Sequence, residues 1–196
     1  MFDESQLLVA LRNGDQTAFK YLFDTYSDKL YRLAVGLLQA EDDAEEVVQE
    51  SFLRLLENLD KFEGRSRLNT WLYRVTYNRS IDRLRQRRPV FTPVTDYETD
   101  EHTPVPMVLV DWKNSPEVCV IAGEADHVLN IAIASLPEKL RAIFILREID
   151  ELSTQETADI LEISVSAAKV RLHRARLLLR EQLSTYFSER LSQECM

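Results

Sequence analysis

The side chains best suited to chemistry in this chain are cations interleaved with aromatic rings. From Lys61 the sequence runs KFEGRSRLNTWLYRVTYNRSIDRLRQRR, and residues 65–88 hold eight arginines against the single acid Asp82. Trp71, Tyr73, Tyr77 and Asn78 lie among these cations. A ring can stack on an unpaired base while a guanidinium such as Arg65, Arg67, Arg74, Arg79 or Arg85 holds the backbone, which suits single-stranded nucleic acid. The plainer reading of Trp71 is a core residue. A second island spans residues 169–180, with Lys169, Arg171, Arg174, Arg176 and Arg180 and no acid. Neither island supplies a nucleophile and base, a phosphate-binding glycine loop or a metal cluster. Cys119 and Cys195 lie 76 residues apart, and His102, His127 and His173 form no ligand set with them. A disulfide scaffold or structural zinc is therefore not expected. These residues predict binding without catalysis, metal or cofactor.

Something must present each island. Around the second one, Ser153 and Glu156 have the spacing of a reciprocal helix cap, followed by Thr157, Ala158, Ile160 and Leu161. A β-branched, serine-punctuated break at Ile163 to Val165 precedes a longer helix restarting at Ser166. In that helix Ala168, Leu172, Ala175 and Leu179 can pack while the cations face phosphate, the pattern of a helix-turn-helix. Ser135 and Glu138 form a second expected box around Pro137, placed at the first helical position. Leu140, Ile143, Phe144, Leu146 and Ile149 carry that helix onward. Another helix is predicted from about Glu117 to Ala134, and Tyr186, Phe187 and Leu191 can extend the last one.

In the first half, residues 3–13 read as a short helix capped by Asp3 or Ser5 and stopped by Gly14. From Asp15 to Leu38, Phe19, Leu22, Phe23, Tyr26, Leu30, Leu33, Ala34 and Leu37 recur at spacings of three and four, an amphipathic helix. Asp42 or Asp43 opens a third helix to about Leu59, with Val47, Val48, Phe52, Leu55, Leu56 and Leu59 on its apolar side. Its acids either complement the helix dipole or form a docking surface for a basic partner. A fourth helix covers about Asn69 to Arg87. Residues 89–116 contain five of the six prolines and an acidic run, a linker too long for a compact helix connection. Its apolar centre, Val105 to Trp112, either packs back on a domain or enters a partner.

The 196 residues contain only four glycines and carry a formal charge of -9. That composition predicts an all-α chain of two small helical domains, residues 1–88 and 117–196, joined by a long flexible linker, the second a trihelical or winged-helix-like helix-turn-helix domain. Two basic islands in an acidic chain should bind free DNA poorly and do better when a larger partner positions them. The polar, acidic N-terminus and the absence of any run of 18 apolar residues predict a reduced, soluble, cytoplasmic protein without membrane insertion.

The order of motifs resembles the extracytoplasmic-function sigma factors of bacterial RNA polymerase, over residues 10–88 and 117–183. Asp43, Ala44, Glu45, Gln49 and Phe52 match the family's polymerase-binding helix. Thr70, Trp71, Leu72, Asn78, Asp82 and Arg85 match the next signature. Leu136, Pro137, Arg141, Phe144, Leu146 and Arg147 match the opening of the second domain. Leu152, Glu156, Ala158, Lys169, Arg171, Leu172, His173, Arg174, Ala175 and Arg176 match its helix-turn-helix. Glu151 stands where a small turn residue is common, Ala167 and Ala168 replace a common Gly and a Thr or Val, and Tyr77 replaces Ala or Arg.

The resemblance implies three surfaces. Asp43, Glu46, Gln49, Glu50 and Phe52 would bind the clamp of the largest polymerase subunit. Arg65, Arg67, Trp71, Arg74, Asn78, Arg79 and Arg85 would capture the non-template strand and help melt the promoter. Ser166, Lys169, Arg171, His173, Arg174 and Arg176 would read the distant duplex element. It also implies a cognate anti-sigma protein. Two other readings are a DNA-binding regulator with a response-regulator-like C-terminal domain, which calls for an α/β domain in front, and an adaptor whose basic islands are merely solvated faces.

Overall fold

In the computed structural model, residues 3–62, 67–87 and 122–194 are described, and all their regular secondary structure is helical. The linker 89–116 with its apolar centre, Arg65 and both cysteines lie outside these residues.

The first domain comprises α1 (Glu4–Arg12), α2 (Gln16–Leu38), α3 (Glu41–Asn58), a 3-10 turn (Leu59–Lys61) and α4 (Leu68–Arg87). Asp3 caps α1, and its N–H donates to Gln6 Oε1 at 3.4 Å. Gly14 follows with φ +74°, the left-handed geometry that glycine adopts without steric cost. Asp15 caps α2 by accepting from Thr17 N at 2.8 Å. α3 begins at Glu41, just ahead of the aspartates expected to open it. The capping position is Ala40 with no side-chain hydrogen bond, and Glu41, Asp42 and Asp43 occupy the first turn, where the helix dipole favours acids.

Leu22, Leu30, Leu33 and Leu37 of α2 pack with Ala44, Val47 and Leu55 of α3 and with Leu68, Leu72 and Tyr73 of α4. Small residues bring α3 and α4 together: buried Thr76 Oγ1 donates to Ser51 Oγ at 3.0 Å, and Ser51 Oγ donates to Val47 O at 2.7 Å. Two residues assigned to the apolar sides by periodicity turn outward. Phe23 is 43% exposed and Leu56 is 41% exposed, because three helices cannot cover the full width of the apolar stripes of α2 and α3.

The second domain contains α5 (Ala122–Ser135), α6 (Glu138–Phe144) continuing as a π-helical turn (Ile145–Ile149), α7 (Thr154–Leu161) and α8 (Val165–Glu194). The expected box at Ser135 and Glu138 does not form. Ser135 Oγ instead donates to Ala132 O at 2.7 Å within α5, and Pro137 takes the capping position of α6 rather than its first turn. The box on α7 is present: Glu156 N donates to Ser153 Oγ at 3.2 Å, and Ser153 N donates to Glu156 Oε2 at 3.0 Å. Ser164 Oγ accepts from Ala167 N at 3.1 Å, stabilising the first turn of α8.

The two domains share a core. The buried cluster of α2, α3 and α4 continues without interruption into Ala142, Ile143, Ile145, Leu146, Ala158, Ile160, Leu161, Ala168 and Leu172. Gly36 marks a close approach, where a Cβ would overlap Ile145 Cδ1. Beside it the Arg141 guanidinium, 9% exposed, donates to Gly36 O at 3.0 Å, to Leu37 O at 3.3 Å and to Leu136 O at 2.7 Å. An arginine of the second domain thus completes the C-terminal turn of a helix in the first.

Candidate nucleic-acid and polymerase surfaces

Three surfaces follow from this packing. On the outer side of the first domain, α3 and α4 are laced by charge. Arg83 pairs with Asp43 at 2.9 Å, Glu46 at 2.5 Å and Glu50 at 3.2 Å; Arg79 reaches Glu50 at 3.8 Å, and Arg87 contacts Asp43. Arginines four apart on α4 meet acids three to seven apart on α3, so the pairing follows from helical period. The hydrogen bond that Arg83 donates to Glu46 outweighs the opposing effect of burial and holds the guanidinium above its ordinary range.

This arrangement sorts the acids expected to face a partner. Asp43 is held against Arg83 and Arg87 with its side chain 18% exposed, and Glu50 is shared between Arg79 and Arg83. Phe52 is a packing residue, 4% exposed, with its ring 5.1 Å from that of Phe23 and 6.3 Å from that of Phe19. Glu46 and Gln49 remain exposed, together with Asp42, Glu45, Leu53 and Leu56, which form one stripe of α3. Leu53, 59% exposed, was not singled out by the sequence. Its place three and four residues from Leu56 and Gln49 was the available signal.

The second surface runs along α4 from its first turn to Arg85. Trp71 is half-buried, with its ring edge-on to Phe62 at 6.5 Å, so it combines packing with an accessible edge. Asn78 and Arg85 are exposed, and Arg85 lies 3.9 Å from Asp82. Arg79 does not join them; its approach to Glu50 aims it towards α3. Arg67 and Arg74 face the second domain. Arg67 lies 3.5 Å from Glu156, and Arg74 donates to Asp159 O at 2.8 Å and lies 3.8 Å from Glu162. Arg67, Arg74, Glu156 and Asp159 line an open cleft between α4 and α7 with Thr70, Ser153 and Gln155.

The third surface is α8. Ser166 and Lys169 are exposed, while Arg171, His173, Arg174 and Arg176 are half-buried. Lys169 and Arg174 meet no acidic partner among the described residues, whereas Arg176 pairs with Glu148 at 2.6 Å. Arg171 lies near enough to Tyr77 of α4 for its charge to oppose the upward push that burial gives the Tyr77 phenol. At the end of the π-helical turn, the side chain of Asp150 is fully enclosed. It accepts from Tyr73 Oη at 3.1 Å and pairs with Arg32 at 3.1 Å. Burial raises the Asp150 carboxyl above its ordinary range despite both partners, and burial followed by the Asp150 charge raises the Tyr73 phenol. Sequence reading missed Asp150, Arg32 and the packed role of Arg141, since their partners are more than 70 residues away.

Residues 22–90 match the family model Sigma-70 region 2, and residues 130–179 match Sigma-70, region 4. The chain is 36% identical over 173 residues to the ECF RNA polymerase sigma factor SigW of Bacillus subtilis, covering 88% of this chain and 92% of that one. The chain belongs to the extracytoplasmic-function sigma factors. It is also 32% identical to the RNA polymerase sigma-H factor of Pseudomonas aeruginosa over 95% of this chain and 96% of that one. Among solved structures, CnrH in complex with the cytosolic domain of CnrY superposes with a TM-score of 0.67 at 23% identity, covering 93% of this chain and 97% of that one. RpoE in complex with the anti-sigma factor NepR from Bartonella quintana gives 0.60 at 23% identity, with 85% and 96% covered. These likenesses support the all-helical fold of two domains. As a sigma factor the chain binds RNA polymerase core and directs promoter-specific initiation. No helix among the described residues is long and apolar enough to cross a membrane.

Proposed function

We propose that this sigma factor divides its work among the three surfaces and makes or breaks no bond itself. Residues 1–88 bind polymerase and open the promoter, residues 89–116 link, and residues 117–196 read the distant element. The stripe of Glu46, Gln49, Leu53 and Leu56 meets the clamp, while Asp43 and Glu50 hold α3 against α4 and Phe52 supports the stripe from beneath. Trp71, Asn78 and Arg85, with Arg65, Arg67 and Arg74, capture the unpaired strand. Ser166, Lys169, Arg171, His173, Arg174 and Arg176 lie along the major groove. The observation that carries this reading is that two separate basic surfaces, one with aromatics and one on a helix-turn-helix, belong to one chain that matches both sigma regions.

DNA binding on this reading requires the packed form to open. Arg67 and Arg74 must leave Glu156, Asp159 and Glu162 before they reach a strand, and α7 must leave α4 before α8 enters a groove. An anti-sigma protein in the same cytoplasmic compartment would act by favouring the covered state, as the anti-sigma complexes among the structural neighbours suggest. The test is polymerase core with and without this protein on a promoter panel. Stable association and promoter-dependent open complexes are expected, and absence of both ends the reading. Trp71→Ala and Asn78→Ala should impair opening more than duplex binding, while Arg174→Glu should do the reverse.

A further inference from the structure

Helix α1 lies outside the segment matched by the region 2 model, which begins at residue 22. Its apolar side, Leu7 and Leu11, is buried in the first domain. Two of its charged side chains reach elsewhere. Arg12 Nε donates to Leu59 O at 3.1 Å, and its Nη2 donates to Phe62 O at 2.7 Å. Glu4 Oε1 accepts from Leu68 N at 2.6 Å. A cation therefore closes the carbonyl end of the turn after α3, and a carboxylate closes the N–H end of α4. Each has the sign that the helix terminus attracts.

These bonds flank the basic segment between α3 and α4. Eight residues separate Glu4 from Arg12, about 12 Å along a helix, so α1 acts as a rigid spacer between the two flanks. The held flank leads directly to the aromatic site, since Phe62, whose carbonyl Arg12 grips, is the residue whose ring meets Trp71 edge-on. The first turn of α4, which Glu4 caps, carries Thr70 and Trp71. Leu68 is itself 1% exposed, and the residue before it is Arg67, so α4 has no serine, threonine, aspartate or asparagine immediately ahead of its first turn to do the same job.

We propose that Glu4 and Arg12 are positioning residues for strand capture, setting Phe62 and Trp71 through the Leu59 and Phe62 carbonyls and the Leu68 N–H. This rests on the reading that Trp71 engages the unpaired strand. Neither side chain touches DNA. Each acts on the backbone that carries the aromatic pair, so capture should suffer while the α3 stripe and α8 remain as they are.

Two measurements test it. In a Trp112→Phe background the only remaining indole is Trp71. Its emission should shift to longer wavelength in Glu4→Ala and in Arg12→Ala, and stay in place in Glu4→Gln, which keeps an acceptor oxygen for Leu68 N. The second measurement uses holoenzyme and a template selected by the wild-type holoenzyme from a randomised promoter pool, with 2-aminopurine in the non-template strand. Glu4→Ala and Arg12→Ala should each weaken strand capture about tenfold, the scale of losing one charge-assisted hydrogen bond, and Glu4→Gln should stay within about threefold. Core affinity and duplex binding should remain at wild-type levels.

Unchanged capture in both alanine variants overturns the proposal. So does a parallel loss of core affinity, which would make α1 a general scaffold, and so does an equal loss in Glu4→Gln and Glu4→Ala. A wild-type holoenzyme that assembles but captures no strand defeats the reading of Trp71, and the inference with it. The emission shift still reports separately whether α1 holds the aromatic pair.

Discussion

The two sides of α4 use the same residue type for different ends. Towards α3, Arg83 meets three carboxylates at 2.5 to 3.2 Å within one domain. Towards α7, Arg67 and Arg74 meet carboxylates of the other domain at 3.5 and 3.8 Å. Close multiple pairing on the first side fixes helix to helix. The longer pairs on the second, set around a cleft, exchange readily for water or phosphate. What joins the domains is therefore the shared apolar core, with the close seat of Gly36, Ile145 and Arg141 and the enclosed Asp150 side chain within it, and the arginine rim adds little. On the proposed reading, the cations that would hold the strand are covered at little cost or gain in stability.

The largest expected effect comes from filling the seat. Gly36→Ala should cost about 2 kcal/mol, because the new Cβ must displace the buried Cδ1 end of Ile145. Small-angle scattering should then show a larger radius for the free protein, with DNA binding strengthened as the rim is uncovered. An unchanged radius would mean the seat yields by repacking. Next, Arg83→Ala should cost about 1 to 2 kcal/mol in urea unfolding, since it leaves Asp43 and its neighbours short of a partner that is itself partly solvated. Arg74→Ala should change stability by less than about 0.5 kcal/mol yet reduce strand capture. Equal stability losses from the two arginines would erase the contrast between the sides.

A smaller gain is expected at Glu151, where φ is +55°. Glu151→Gly should stabilise by about 0.5 to 1 kcal/mol, as relief of left-handed strain outweighs the added freedom of the unfolded chain. The smallest effect is with pH, where two carboxyls act in opposite senses. The Ser153 hydroxyl and then its backbone N–H lower the Glu156 carboxyl, so its contribution is present above the unfolded value and fades as pH falls through the folded one. Asp150 is raised by burial, so the packed form takes up its proton first, and its contribution weakens as pH rises through that raised value. Urea titrations from about pH 4 to 7 should show Glu156→Gln and Asp150→Asn changing the slope in opposite directions.

Local signals in the sequence carried a long way. The Ser153 and Glu156 box, the stop at Gly14 and the periodic leucines of α2 each specify an element through residues within a turn or two, and each element is present. Glu151 stood out in a position suited to a small residue, and its positive φ gives the reason. The packed interface was not legible because its bonds join residues far apart, as with Arg32 and Asp150, 118 positions from one another. Periodicity marks which side of a helix is apolar but not which helix will meet it. Gly36, in the last turn of α2 in a chain with few glycines, was the one local hint. For the same reason the acids of α3 looked like one surface, whereas the arginines of α4 draw Asp43 inward and leave Glu46, though paired, open to solvent.

Arg141 gives the molecule an order in time. The carbonyls of Gly36 and Leu37 leave the ribosome more than 100 residues before the guanidinium that completes their turn. At ordinary rates of synthesis that interval is roughly 5 to 20 s. During it the first domain exists with the end of α2 unfilled and with Arg67 and Arg74 uncovered beside the messenger and ribosomal RNA. The acidic residues that later face those arginines, Glu156 and Glu162, emerge only after Arg141. A newborn chain thus passes through an uncovered state before it reaches the covered one, and limited proteolysis of chains stalled before residue 130 would catch it there.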